Sequence, residues 1–136
     1  MRSRFTTVVI LIVCLAAAVR LPSLDLRPFH HDEANQAYRF GLLLDEGVYQ
    51  YDAEDHHGPT LYYLTQPLAF LVGADSFAET SIVMYRLVPV IAGCVMILLL
   101  GLLRTALGRL GTLGAMVLLT FTPAFVFYSR YYIQES

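Results

Sequence analysis

Four consecutive residues, His30-His31-Asp32-Glu33, place two imidazoles and two carboxylates side by side in a chain that is otherwise mostly apolar. Neighbouring side chains on a helix point about 100° apart, so one carboxylate can face a substrate while the other orients a partner. An ionised Asp32 could take a proton from an acceptor hydroxyl or amine. The same residue also stands where an N-cap would open a helix, a role worth about 1 kcal/mol and compatible with catalysis. All four histidines (30, 31, 56 and 57) fall in one polar stretch, near Asp52, Glu54 and Asp55. A divalent ion could be held there, with His31, His56 and Glu135 as candidate ligands. No pair has the i, i+4 spacing of a helical zinc site, and exposed loop histidines that bind nothing are the plainer reading. Arg86 and Arg130 stand near the ends of two apolar runs. A guanidinium in that position either grips a lipid phosphate bidentately or snorkels to headgroups.

Positioning these groups falls to elements made largely of apolar residues. Those make up 57% of the 136, and mean hydropathy is +0.57. Ten of the eleven acids lie between Asp25 and Glu79, Glu135 is the other, and all nine basic residues are Arg, mostly at the ends of apolar runs. This pattern predicts an all-α integral membrane protein with one acidic outer loop, and offers no surface for nucleic acid. The predicted spans are residues 5–21, 82–103 and 110–128. A cleaved signal peptide, with Ala16-Ala17-Ala18 as its cleavage site, is the alternative for the first. The loop, 22–81, is expected to carry helices over 33–45 and 60–72. In the first of these, Ala34, Ala37, Tyr38, Gly41 and Leu42 form an apolar stripe and Gly47 is the stop. The second is short for a span and holds Gln66 and Pro67, so it is expected to be interfacial or re-entrant, a crossing being the alternative. Three crossings then place Arg104 and Arg109 in the cytoplasm, and Asp32, Arg130 and Glu135 outside. Gly101, Gly108, Gly111 and Gly114 suggest close helix packing rather than a phosphate loop. Cys14 and Cys94 read as buried thiols, and most tyrosines as an interfacial belt.

Four segments, in order, resemble the GT-C superfamily of membrane glycosyltransferases, which includes the protein O-mannosyltransferases and aminoarabinose transferases. They are Arg20-Leu21 with His31-Asp32-Glu33-Ala34 and Tyr38; His57-Gly58-Pro59-Thr60-Leu61-Tyr62-Tyr63; Arg86-Leu87-Val88-Pro89; and Ser129-Arg130-Tyr131-Tyr132-Ile133-Gln134-Glu135. The stretch from Tyr51-Asp52 to Leu61 is most similar to a mannosyltransferase-like subfamily named for association with flippase activity. The resemblance implies the N-terminal part of a larger multi-pass enzyme of the cytoplasmic membrane. Its donor would be a polyprenyl-phosphate-linked sugar, its acceptor a glycan, lipid or protein of the cell envelope, and its active face extracytoplasmic. Asp32 would be the base or the acid that contacts the acceptor, Glu33 its assistant and Glu135 the acid of the second motif. Arg86, Arg130 and His57 would hold the donor phosphate or support the site, with a divalent metal as an optional cofactor. The rival expectation is a non-enzymatic accessory or metal-binding membrane protein that uses the His- and acid-rich loop.

Overall fold

The computed structural model describes residues 2–49, 54 and 58–134, with side chains from Arg4 onward. Among them every regular element is helical. The elements are α1 (Arg2–Arg20), α2 (His31–Glu46), α3 (Thr60–Val72), α4 (Ile82–Leu100), α5 (Arg104–Phe121) and α6 (Pro123–Tyr128), with 3-10 turns at Phe77–Glu79 and Gly101–Leu103. The chain divides into two compact units, Met1–Pro22 with Val90–Arg130, and Ser23–Pro89 with Tyr131–Ser136.

In the first unit, Val9, Ile12 and Ala16 of α1 pack with Ile97 of α4 and Met116 of α5. The helical run Ile82–Phe121, 40 residues long, is the one stretch among the described residues long and apolar enough to cross a membrane. A straight helix would set positions 97 and 116 about 28 Å apart at 1.5 Å per residue. Their shared core therefore means that the run folds back on itself. The bend lies at the 3-10 turn and at Gly108, whose φ of 68° is left-handed and suits a residue without Cβ.

By length and composition, then, one run stands where three crossings were expected, for local reasons. Only residues 5–19 of α1 are free of charge, short of the roughly 20 that a span needs. The expected helix over 110–128 is broken at Thr122, whose ψ of 121° is extended. Pro123 follows it and disfavours the α conformation in the residue before. The surfaces of these helices are apolar all the same: Leu11, Leu15, Leu98, Leu99, Leu110 and Leu118 are all exposed. Cys14 is exposed among them and Cys94 half-buried, so the expectation of two buried thiols fails for the first. Close packing fails at two of the four glycines, since a Cβ on Gly108 or Gly114 would meet open space, whereas one on Gly101 would touch Val9 of α1 at 4.0 Å.

The second unit has an aromatic core. Phe40, Leu43, Tyr62, Tyr85 and Tyr132 are buried together, and the Tyr85 ring lies 5.7 Å from Phe29, 5.8 Å from Phe40 and 4.9 Å from Tyr132. These tyrosines are core rather than interfacial belt, because each buried hydroxyl finds a partner. Tyr62 donates to Gln36 Oε1 at 2.6 Å, Tyr132 and Thr65 share a 2.8 Å bond, and Tyr85 reaches Thr80 Oγ1 at 3.1 Å. The 13 residues of α3 bury Leu61, Tyr62, Thr65 and Ala69. At about 20 Å this helix is too short to span.

α2 begins two residues earlier than the spacing predicts. Its buried positions are Glu33, Gln36, Ala37, Phe40, Gly41 and Leu43. That stripe is displaced by one residue from the apolar pattern, and Ala34 and Tyr38 face outward. Gly47, left-handed with φ 72°, ends the helix as its spacing suggests.

Candidate active site around Glu33 and Asp32

The first turn of α2 is built by a reciprocal cap. His30 is the N-cap. Its Nδ1 accepts from the Asp32 N–H at 3.4 Å, while its own N–H donates to Glu33 Oε2 at 3.2 Å. Asp32 is therefore not the cap. Histidine is not among the favoured cap residues, but the Glu three positions on completes the capping box and was the available signal.

Glu33 carries the centre of this unit. Its side chain is fully buried. Oε1 accepts from Arg86 Nε at 2.9 Å and from the Tyr132 N–H at 3.1 Å. Oε2 accepts from Arg86 Nη2 at 2.7 Å as well as from His30. Four donors fill the lone-pair sites of one carboxylate. Burial by itself would push this carboxyl up. The hydrogen bonds from Arg86, Tyr132 and His30, with the Arg86 charge, outweigh it and hold Glu33 below the usual carboxylate range. A group so occupied positions its neighbours and has no free lone pair for a substrate.

Arg86 is equally committed. Besides Glu33, its Nη1 donates to the carbonyls of Leu24 at 2.6 Å and Arg27 at 2.9 Å, and Nη2 to Pro28 at 3.2 Å. All five guanidinium donors are in use, and Phe29 lies against the group at 5.7 Å. Of the two roles expected of Arg86, this geometry leaves support of the site and no donor for a phosphate. The pair fastens four segments to one another: the start of α4, the 24–28 loop, the first turn of α2 and the backbone at Tyr132.

Asp32 emerges from this anchored turn. Its side chain is 61% exposed and lies 3.3 Å from His30 Nδ1. That nitrogen pairs with the carboxylate when protonated and accepts from the Asp32 N–H when not. The Tyr131 ring stands 5.7 Å from the His30 ring. Burial, then the charges of Glu33 and Asp32, push the Tyr131 hydroxyl up. Sequence reasoning gave Tyr131 no role of its own and read His30 only as one of the loop histidines. Both enter because the Glu33–Tyr132 bond brings the 131–134 segment to the start of α2.

The remaining expected residues do not gather here. His31 is exposed at the first helical position. Arg130 belongs to the first unit, where Nη2 donates to the Pro22 carbonyl at 2.6 Å. Glu135, His56 and His57 lie outside the described residues. Among the described residues no group of three or more His, Cys, Asp or Glu is placed to hold a metal ion. No family model, curated protein or solved structure matches this chain.

Proposed function

We propose that the chain is part of a GT-C-like membrane glycosyltransferase acting on the extracytoplasmic face. The supporting observation is Asp32, an exposed carboxylate on a turn immobilised by the buried Glu33–Arg86 pair. An acceptor hydroxyl or amine attacks the anomeric carbon of a polyprenyl-phosphate-linked sugar. The bond from that carbon to the phosphate oxygen breaks, the lipid phosphate leaves, and Asp32 takes the acceptor proton. With a phosphate already in place as leaving group, the protein mainly supplies orientation, a base and charge stabilisation. The ordered motifs support the donor class.

The decisive assay compares native membranes with membranes lacking the protein, each given a panel of labelled polyprenyl-phosphate sugars. Label should move to an acceptor only where the protein is present. Label that stays on the lipid across the panel in both membranes would rule the reading out.

The proposed arrangement has three crossings: α1 as a short first one, α4 as the second, and α5 beyond its Gly108 bend together with α6 as the third. The exposed leucines along these helices favour lipid as their surroundings, and the arginines at 104 and 109 favour a cytoplasmic bend. A reporter fused after Gly108 should accordingly be active in the cytoplasm. Activity on the outer side would reverse the topology.

A further inference from the structure

Arg20, at the end of the first apolar run, is only 1% exposed. Where its guanidinium goes follows from the break between α5 and α6. The Thr122 N–H still bonds the Leu118 carbonyl at 2.8 Å, and regular bonding resumes with Val126 N–H to Thr122 at 3.0 Å. Between them the i→i−4 ladder is interrupted, because the chain turns at Thr122 and the next helix starts at Pro123. The Leu119 carbonyl faces position 123, and proline has no N–H to give it. Arg20 supplies the missing bonds, with Nη2 donating to the Leu119 carbonyl at 2.9 Å and Nη1 to that of Thr120 at 3.1 Å. Nη1 also bonds the Ala16 carbonyl on its own helix at 3.2 Å, and Nε bonds Ser129 Oγ just past α6 at 2.8 Å. Gly93 of α4 makes room for this cluster: a Cβ there would fall 2.8 Å from the Ser129 Cβ and 3.6 Å from Arg20 Nε.

We propose that Arg20 is a cap supplied in trans, by which α1 gives the broken α5–α6 joint the donor that Pro123 withholds from Leu119 and a second one for the Thr120 carbonyl that the break leaves open. The joint is then a built feature of the first unit. Its bent state is held by one side chain whose partners lie on both sides of the break. In an apolar setting the requirement is strict, because a carbonyl without a donor has no water to turn to. This inference does not depend on the proposed enzymatic activity.

A double-substitution cycle tests it, with thermal unfolding of the purified full chain in detergent as the readout. Arg20→Met should lower the midpoint by about 5–10 °C, on the scale of losing charge-assisted hydrogen bonds in a small domain. Pro123→Ala restores an N–H opposite Leu119, so in that background the loss caused by Arg20→Met should fall to half or less. Equal losses in the two backgrounds would overturn the proposal. If Arg20→Met does not fold, Arg20→Lys carries the same comparison, since three donors at one point cannot span acceptors on residues 16, 119, 120 and 129. Improvement of the Lys variant by Pro123→Ala supports the cap, and no improvement overturns it.

Discussion

Arg86→Met should destabilise the second unit by about 3–5 kcal/mol, the usual consequence of removing one partner of a buried ion pair. Native domains hold only about 5–15 kcal/mol in total, so this single change takes a large share. The reason is the number of groups left behind. Glu33 would remain buried and charged with two of its four donors gone, and the carbonyls of Leu24, Arg27 and Pro28 would each lose a bond. Arg86→Lys should fall between, because an ammonium cannot reproduce the planar fork. The chain has no Trp, so near-ultraviolet circular dichroism reports directly on the buried tyrosines around Tyr85. A loss below about 1 kcal/mol for Arg86→Met, the range of an exposed pair, would show that the pair does not hold this unit together.

Glu33 adds a pH signature with a definite sign. Its folded carboxyl titrates below the ordinary value of 4.5, so the folded state favours the ionised form. The resulting stability is fully present above that value and is lost as pH falls from there through the lower folded value. Glu33→Gln should flatten this part of the acid-unfolding curve while lowering stability at neutral pH. An unchanged acid limb would assign the transition to other carboxylates.

The positions of the helices in the second unit were legible in the sequence because their stop and start signals are local. Gly47 and the Gly58-Pro59 turn act within a few residues of themselves. The face that α2 buries was misread by one position for a physical reason: an apolar stripe starting at Ala34 ignores charged and amide residues, and here Glu33 and Gln36 are core residues. Their burial depends on Arg86 and Tyr62, which lie 53 and 26 residues away and leave no trace in the local pattern. The cap was missed because His30 is an unusual cap, although the capping-box glutamate was in view. Arg86 reads from sequence as a cation that grips a phosphate or snorkels to headgroups, and Arg20 only as the edge of an apolar run, since composition cannot show that distant carbonyls await them. The break at Thr122 was available in principle from Pro123, which the run of apolar residues overshadowed.

Asp32→Asn should separate chemistry from folding more sharply than any other change in the chain. The substitution keeps the shape of the side chain and removes its capacity to accept a proton. Loss of a positioned general base lowers rate by about 10²–10⁴-fold, and transfer of sugar to acceptor should fall by that amount. Folding should barely respond. Asp32 lies in the second position of α2, where its charge interacts with the helix dipole for about 0.3–1 kcal/mol, and His30 does the capping. Asp32→Ala is therefore the informative companion. Were Asp32 the cap, alanine would remove about 1 kcal/mol or more; with His30 as cap, Ala and Asn should unfold within a few tenths of a kcal/mol of each other. Transfer that persists in both variants, with the Arg86→Met variant unfolding as expected, would leave the Glu33–Arg86 anchor intact as architecture and remove Asp32 from the chemistry. Transfer lost in both, with unfolding unchanged, is the outcome the proposed function requires, with the buried carboxylate holding the turn and the exposed one beside it serving as base.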